Sequence, residues 1–404
     1  MVVDTYDGKA QCYLSILCEG NPNRRTGSPG NRGATKFFAA RIRELGYEVD
    51  ATPFDCIDYE RGRVSLTGGR EKYQVSGGPF SPGVDVTAPL AVASTIEELE
   101  QSNCEGKILL LRGAIAAEPL MPKNFVFYNP DNHKLIYALL ETKRPAAVIT
   151  ATAPNPYAGA LYPFPMIEDG DFDIPSAYCT DVTGEAIAAA ASPLHLVIEA
   201  RRFPATANNV IARKNPDAKD KVVVCAHIDA KEGTPGATDN AAGVTVLLLL
   251  AEMLKDYPGT RGIEIVAING EDYYSAGGEM DYLARYGEAI GNIKLAFNID
   301  GAGYIEGKTA FSMYNLTPEL ETEARSLISR FDGVIVGEPW YQGDHMLFIQ
   351  AGRPALAITS EKAMEMLTTV THSAADTPEL VDYHKLVEIA AALDALVRSP
   401  AFNP

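Results

Sequence analysis

The sequence predicts an α/β protein with a mostly parallel central sheet, helices on both faces of that sheet, and a smaller β-rich domain. After residue 202, strand patterns alternate with helical patterns, which is typical of parallel sheets. The stretch GIEIVAING is apolar almost throughout, as strands covered on both faces are. Between residues 77 and 200, short apolar runs are interrupted by Pro, Gly and Asn, which indicates a β-rich domain.

The first predicted elements are a helix and a strand. Ala34 to Leu45 carries apolar residues at helical spacing and ends at a glycine, and the segment YEVDATPF that follows is predicted to be a strand. A glycine-rich break at residues 77–78 marks the change of pattern. We therefore predict two domains, one from residues 1–76 and 201–404 and one from residues 77–200.

Regular alternation of strands and helices follows the smaller domain. The segments ANNVIARK, KVVVCAHID, GIEIVAING, KLAFNID and PALAITS are predicted strands. Asn240 to Tyr257 is predicted to be a helix that Pro258 stops, and Thr317 is placed to cap another. Asp382 caps the last predicted helix, whose buried stripe consists of Leu386, Ile389, Leu393 and Val397.

Composition and charge limit the classes of partner. The chain has 404 residues, of which 46% are hydrophobic, as expected for a globular protein of one large or two ordinary domains. There are 35 Lys and Arg against 53 Asp and Glu, and the net charge is −18. Such an acidic surface repels nucleic acids and anionic membranes, so neither is an expected partner. The longest apolar run, near Val244 to Leu250, is too short to span a bilayer.

The cysteines and the N-terminus indicate the compartment. The six cysteines form no CxxC pair, which excludes zinc-finger and thioredoxin-like motifs, and they are predicted to be buried thiols. The N-terminus lacks the basic and apolar regions of a secretory signal. A cytoplasmic location is therefore expected, and the removal of a leader from the chain stays an alternative.

Candidate functional residues follow the predicted strands. In open α/β sheets, ligands bind at the carboxyl ends of the strands. Each of several segments brings a histidine or a carboxylate to that edge, and their convergence points to one site. These residues are His227 and Asp229 after KVVVCA, Asp239 before the helix, Glu271 and Asp272 after GIEIVAING, Asp300 after KLAFN, and His372 beyond PALAITS.

Their chemistry favours a metal site. Imidazoles combined with carboxylates suit zinc, with cobalt or manganese as substitutes. The spacing of His227 and Asp229 puts both side chains on one face of a strand end, so Asp229 can accept the second ring N–H. The adjacent Glu271 and Asp272 suggest a division of roles, in which one binds metal and the other handles protons.

Each candidate also has a structural interpretation. His227 or His372 alone would more often be a core histidine, Asp239 a helix cap and Asp300 a turn residue. The metal site is favoured because it explains all these segments together. His133, His195 and His384 have no such neighbours in the sequence and are predicted to be surface or structural residues.

The motifs resemble a known family. HID, GATDNAAG, INGEDYYSAGG, NIDGAG, QGDHMLF and THSAADTPE occur in this order and resemble the zinc aminopeptidases of metallopeptidase family M28. The segment GSPGNRGATKFFAARIRELGYEV resembles the family's opening helix. NCEGKILLLRG, AAVITA and FDIPSAYCT resemble a protease-associated (PA) domain, which some members insert into the catalytic domain. The resemblance implies a zinc-peptidase domain from residues 1–76 and 201–404, and a PA-like insert at 77–200.

The resemblance also implies roles for the residues. Asp239 would bridge two Zn²⁺ ions, and Glu271 would be the general base that acts on peptide substrates. Of the remaining ligands, His227 and Asp300 would complete one metal site, and Asp272 and His372 the other. Asp229 would orient His227.

The chain departs from the family pattern at two places. Asp272 stands where the family more often has Glu, so this carboxylate is one methylene shorter. Gly343 stands where the family often has Ser, and Trp340 occupies the offset of a Tyr that steadies the oxyanion. We therefore expect Tyr341 or a backbone N–H to take that role.

Other functions on the same fold stay open from the sequence. Related enzymes include carboxypeptidases that act on acidic peptides and glutaminyl cyclases, which use one zinc. Some relatives are receptors or scaffolds, but these tend to have lost metal ligands, and this chain keeps the whole set. A homo-oligomer is a further possibility.

Overall fold

The structure, a computed structural model, describes residues 5–190 and 193–401. The chain divides into two compact units, one made of Met1–Cys56 and Thr206–Pro404 and the other of Ile57–Ala205. Within the described residues, every helix is too short or too polar to cross a membrane.

Two helices and a short strand open the larger unit. Helix α1 spans Tyr6–Ser15, α2 spans Pro29–Glu44 and strand β1 spans Glu48–Asp50. The structure begins α2 before the predicted Ala34, because Ser28 caps it by accepting a hydrogen bond from the Asn31 N–H (3.1 Å) and Pro29 suits the first helical turn.

The smaller unit contains two sheets and three α-helices among its described residues. Its elements are β2 (Pro53–Gly68), β3 (Glu71–Tyr73), β4 (Ser76–Gly77), β5 (Val84–Ala88), β6 (Leu90–Ala93), α3 (Ile96–Gln101), β7 (Ile108–Leu111), α4 (Asp131–Lys143), β8 (Ala147–Thr152), β9 (Ser176–Thr180), α5 (Asp181–Ala188) and β10 (Leu194–Asn208). One sheet has the order β3-β2-β10-β5 and the other β4-β9-β8-β7-β6.

This sheet pairing explains why the observed division differs from the predicted one. The sequence placed the first boundary after residue 76, whereas the smaller unit begins at Ile57. Strands β2 and β3 lie before residue 76, but they pair within the sheet that contains β10 and β5. The glycine-rich break at 77–78 is therefore internal to the smaller unit.

The rest of the larger unit alternates strands and helices, as predicted. Its elements are β11 (Val210–Lys214), β12 (Lys221–His227), α6 (Ala242–Met253), β13 (Gly262–Ile268), α7 (Gly277–Tyr286), β14 (Ile293–Ile299), β15 (Thr309–Tyr314), α8 (Pro318–Ile328), β16 (Val334–Val336), α9 (Met346–Gln350), β17 (Ala355–Ser360), α10 (Ala363–Thr369) and α11 (Tyr383–Arg398).

The central sheet is mostly parallel, which confirms the predicted fold class. Its strand order within the described residues is β1-β11-β13-β12-β14-β17-β15-β16. Strands β13, β12, β14 and β17 run parallel to one another at the centre, and β15 pairs in parallel with β16. The pairs β1–β11, β11–β13 and β15–β17 are antiparallel.

Helices cover both faces of this sheet. On one face, Val222 and Val224 of β12 pack in a core with residues of α1, α2, α6, α8 and α11. Side chains alternate along a strand, so Cys225 faces the opposite side. There, Tyr282 of α7 is buried against Phe348 of α9, with ring centroids 6.2 Å apart. Burial, followed by nearby Glu264 and Cys225, raises the pKa of Tyr282 well above its usual value.

The parallel centre of the sheet brings three strand ends together. Strand β12 ends at His227, β13 at Ile268 and β14 at Ile299, and β12 lies between the other two. The segments that follow these strands therefore start at one edge of the sheet, as the sequence predicts.

Candidate metal centre

The predicted metal ligands meet around the carboxylate of Asp239. Its Oδ1 atom lies 3.0 Å from Nε2 of His227, and its Oδ2 atom lies 3.2 Å from Nε2 of His372. Nε2 of His227 is also 3.6 Å from Oδ1 of Asp300, and Nε2 of His372 is 3.2 Å from Oδ1 of Asp272. The two oxygens of one carboxylate thus face two imidazoles, and each imidazole faces a second carboxylate.

These residues form overlapping groups that suit cations. Ligand atoms of His227, Asp239 and Asp300 lie within 4.8 Å of one another, as do those of Asp239, Asp272 and His372. Asp239 belongs to both groups. Nitrogen and oxygen donors in this combination suit zinc.

Buried polar atoms without partners support the same interpretation. Among the described residues, neither ring nitrogen of His227 has a hydrogen-bond partner, and Oδ2 of Asp272 has none either. Leaving such atoms buried and unsatisfied costs about 1–3 kcal/mol each. Cations bound between the imidazoles and the carboxylates would satisfy Nε2 of His227 and Oδ2 of Asp272, so the residues present fit a two-ion site.

The charges within the site act strongly on one another. Burial lowers the pKa of His227, but Asp229, Asp239 and Asp300 outweigh it and raise that pKa well above its usual value. Burial also lowers the pKa of His372, but Asp272 and Asp239 outweigh burial and raise that pKa well above its usual value. Burial raises the pKa of Asp239, but the imidazoles of His227 and His372 outweigh burial and hold that pKa below the usual range.

Glu271 lies beside these ligands. One of its carboxylate oxygens lies within 4.8 Å of ligand atoms of both His227 and Asp272. Burial, and to a smaller extent the charge of neighbouring Asp272, raises the pKa of Glu271 well above its usual value. A carboxylate whose proton affinity is raised is suited to accept a proton.

Asp229 organises the neighbouring loop. Its Oδ1 accepts a hydrogen bond from the N–H of Gly270 (2.8 Å), and its Oδ2 accepts from the N–H of Asp272 (3.2 Å) and from Oγ1 of Thr26 (3.0 Å). Nδ1 of His227 lies 3.6 Å from Oδ1, which is longer than a hydrogen bond. Asp229 thus lies beside the ring without the predicted hydrogen bond, and its hydrogen bonds instead fix the segment that carries Glu271 and Asp272.

Arg24 fixes the loop after β12, a role that sequence analysis missed. Its guanidinium is 1% exposed and donates to the carbonyls of Ile228 (3.2 Å), Pro235 (2.8 Å) and Gly236 (2.8 Å). Gly236 has a φ of +60°, and a Cβ there would lie 2.6 Å from the Asp239 carbonyl oxygen. The chain therefore needs glycine at this position to bring Asp239 into the site.

The segment expected to steady an oxyanion is anchored by other residues. The Tyr314 hydroxyl accepts from the N–H of Trp340 (2.7 Å) and donates to its carbonyl (2.5 Å). Tyr341 is 66% exposed, and its ring centroid lies 6.1 Å from that of Tyr314. Its role in catalysis stays a prediction.

Gly343 lies close to Asp300, a predicted metal ligand, and to Asn298. Its φ is +105°, and a Cβ added there would lie 3.3 Å from Oδ2 of Asp300 and from Nδ2 of Asn298. A side chain at this position would press on both. The close approach gives a physical reason for glycine in this chain.

Two further buried carboxylates interact with charges of the site and were not predicted as part of it. Glu279 and Asp344 are 8% and 1% exposed, and within the described part of the chain neither oxygen of Asp344 has a hydrogen-bond donor. Burial raises the pKa of both side chains well above the usual range. The sequence offered little signal for them, because a lone Glu on a helix and an Asp in a loop are usually solvent-exposed.

Known proteins resemble this chain in sequence and in fold. Residues 209–397 match peptidase family M28. Aminopeptidase YwaD of Bacillus subtilis is 24% identical over 311 residues, which cover 73% of this chain and 61% of that protein. The match thus spans less than two thirds of this relative's length.

Solved structures share the fold. BSAP, a zinc aminopeptidase from Bacillus subtilis, superposes with a TM-score of 0.76 at 20% identity and covers 97% of this chain and 94% of its own. A glutaminyl cyclase from Fimbriiglobus ruber is less similar, with a TM-score of 0.51 at 15% identity, and covers 98% and 95% of the two chains. At these identities the likeness shows the fold alone.

The family match covers the strands and loops that carry His227, Asp239, Asp272, Asp300 and His372. The mostly parallel sheet, the order of the motifs and the clustering of these side chains agree with it. Over residues 209–397, this chain therefore matches peptidase family M28.

Proposed function

We propose that this protein is an aminopeptidase that binds two zinc ions and releases N-terminal residues from peptides. The observation that carries the proposal is the position of Asp239, whose two oxygens face His227 and His372 at 3.0 and 3.2 Å. A carboxylate placed in this way can hold two cations side by side. The family and the aminopeptidase relatives support the same conclusion.

The described residues divide into two ligand sets and a base. His227, Asp239 and Asp300 would hold one ion, and Asp239, Asp272 and His372 the other. Bound zinc lowers the pKa of water and polarises a carbonyl group. Glu271 is not needed as a ligand in either set, so its carboxylate is free to take the proton of the attacking water and pass it to the leaving amine.

A glutaminyl cyclase is the main competing function, because such enzymes share the fold. A cyclase that uses one zinc would need only one of the two ligand sets. The complete double set therefore favours the aminopeptidase. A carboxypeptidase and a non-catalytic receptor are further alternatives on the same fold.

One set of measurements separates these functions. We expect the purified protein to hold two zinc ions per chain, to hydrolyse aminoacyl p-nitroanilides and to lose that activity in chelator. Cyclisation of peptides with N-terminal glutamine, without anilide hydrolysis, would favour the cyclase. Release of C-terminal residues from peptides with a blocked N-terminus would favour the carboxypeptidase. A protein that binds two zinc ions but turns over none of these substrates would favour a receptor.

Several expectations from the sequence stay predictions. These are the PA-like identity of the smaller unit, the cytoplasmic location, the oligomeric state and the role of Tyr341. The absence of nucleic-acid and membrane partners is also untested and rests on the net charge of −18.

A further inference from the structure

Asp376 joins two segments that each carry a predicted metal ligand. It is fully buried, and its Oδ1 accepts hydrogen bonds from the N–H (2.8 Å) and the hydroxyl (2.8 Å) of Thr238. Its Oδ2 accepts from the N–H of Asp239 (3.0 Å), and its carbonyl accepts from the N–H of Ala237 (3.2 Å). All these donors lie in the segment that ends at Asp239, while Asp376 itself follows His372 by a few residues.

A tight turn connects Asp376 to His372. His372 has a φ of +62°, a conformation that residues other than glycine adopt infrequently. Around it, the N–H of Ser373 donates to the carbonyl of Val370, and the N–H of Asp376 donates to the carbonyl of Ser373, both at 3.2 Å. The N–H groups of Val370 and Thr371 both donate to the carbonyl of Met366, at 2.8 and 2.9 Å. The position of Asp376 is therefore coupled to the position of the His372 ring.

We propose that Asp376 is a positioning residue that sets the distance between Asp239 and His372, and thereby the affinity for the cation held by Asp239, Asp272 and His372. The inference rests on the proposed two-zinc function. Asp376 does not touch the cation. It acts through backbone and hydroxyl groups that hold Asp239 and His372 facing each other at 3.2 Å.

The ion held by Asp239, Asp272 and His372 is called the second ion here, and the ion held by His227, Asp239 and Asp300 the first. The second ion depends on the hydrogen bonds of Asp376 more than the first does. His227 is the last residue of β12, and Asp300 follows the last residue of β14, so hydrogen bonds of the sheet hold both. His372 instead lies in a turn after α10, beyond any strand. Asp376 joins the segment that carries Asp239 to the segment that carries His372. The ligand set with His372 therefore has two ligands in these segments, whereas the set with His227 and Asp300 has Asp239 alone.

The test replaces Asp376 with a side chain of the same shape. In Asp376→Asn, the amide oxygen can serve the Thr238 donors or the Asp239 N–H, but the NH₂ group then faces the other donor. We expect the folded variant to bind its first zinc ion only slightly more weakly than the wild type, because Asp239 belongs to both ligand sets but His227 and Asp300 are held by the sheet. The second ion should bind about 10- to 100-fold more weakly, which is usual when a residue that orients a metal ligand is changed.

Zinc content after dialysis, calorimetric titration and the absorption spectrum of the cobalt-substituted protein report this effect independently of activity. Activity measured at increasing zinc should recover kcat in Asp376→Asn, because the missing ion is replaced by mass action. A merely destabilised protein would not regain activity with zinc in this way at a temperature where it is already folded.

Two variants serve as controls. Thr238→Val removes the hydroxyl donor but keeps both N–H donors, so we expect a smaller loss of affinity for the second ion. Asp382→Ala removes the side chain that caps α11 by accepting from the His384 N–H (2.9 Å). It should lower the melting temperature slightly and leave both zinc affinities unchanged. Thr238→Val also keeps the test informative if Asp376→Asn does not fold.

The outcomes separate this inference from the proposed function. Wild-type protein with two ions and Asp376→Asn with one tightly bound ion support both. Two equally tight ions in both proteins overturn the inference and leave the proposed function in place. Equal weakening of both ions in Asp376→Asn also overturns the inference, since it assigns the effect to one ion. Wild-type protein that binds no zinc overturns the proposed function, and the inference with it.

Discussion

Oδ2 of Asp239 lies 3.2 Å from Nε2 of His372, while its other oxygen faces a different imidazole. This relationship makes Asp239 the shared member of both ligand groups. Asp239→Asn should therefore lower the affinity for both ions, whereas His372→Ala should lower it for one. Zinc analysis after dialysis measures the difference, with less than one ion per chain expected in Asp239→Asn and about one in His372→Ala. Equal zinc contents in the two variants would contradict the bridging role.

Glu271 is expected to affect the rate and not the metal. Glu271→Gln keeps the size of the side chain but removes its ability to accept a proton, so kcat should fall by about 10²- to 10⁴-fold. Zinc content should stay at the wild-type value. The matched control is Glu288→Gln, which changes an exposed carboxylate that precedes β14 and so lies toward the opposite edge of the sheet. A Glu271→Gln enzyme with full activity would exclude Glu271 as the base.

Arg24 is expected to be essential for stability. Its buried guanidinium donates to the carbonyls of Leu17, Ile228, Pro235 and Gly236. Arg24→Met would leave these carbonyls without their donor, and we expect the free energy of unfolding in urea to fall by about 3 kcal/mol or more.

The control for Arg24→Met is Arg285→Met. Arg285 forms a partly exposed pair with Asp281, one turn away on α7, at 2.7 Å. Such pairs contribute about 0.3–0.5 kcal/mol, so the control should unfold close to the wild-type urea concentration. Similar losses in the two variants would show that the buried carbonyl contacts of Arg24 contribute little.

Acid should destabilise the larger unit partly through Asp50. Burial raises the pKa of Asp50, but hydrogen bonds from the Tyr286 hydroxyl and Thr52, and the charge of Arg213, outweigh it and lower the pKa to about 2. Because the folded pKa lies below the unfolded value of about 3.9, ionised Asp50 stabilises the fold above about pH 4. That contribution is lost as the pH falls toward 2.

Asp50→Asn tests this dependence. The free energy of unfolding should differ most between wild type and variant above pH 4, and the difference should shrink toward pH 2. Asp217→Asn, at an exposed turn position, is the control and should show no such convergence. A difference that is constant with pH would mean that the charge of Asp50 does not stabilise the fold.

Much of the fold follows from local patterns. The strands at the centre of the sheet are mostly apolar, and the structure buries every residue of β13. The predicted cap Asp382 accepts a hydrogen bond from the His384 N–H at the start of α11. The structure places the domain boundary before residue 76, because β2 carries β3 as a hairpin and pairs on its other side with β10, more than a hundred residues away.

The candidate site also combines features that follow from local sequence patterns with features that depend on long-range contacts. The residues at strand ends could be identified because parallel strands all point their carboxyl ends to one edge. The contacts of Arg24 and Asp376 could not be identified from the sequence. Both side chains bond mainly to backbone groups, which every residue has. Asp229 was expected to hold His227, but its hydrogen bonds to Gly270 and Asp272 are shorter than its distance to the ring.

The sequence by itself determined which side chains stand at the ends of the central strands, because apolar periodicity and motif order are local properties. The tertiary structure decided that Asp239 turns one oxygen to each imidazole, and that Asp376 holds Asp239 although 137 residues separate them in the sequence. Those distances depend on the order of strands in the sheet and on the path of the loops between them. Both are set by packing between segments far apart in the chain, which no local pattern contains.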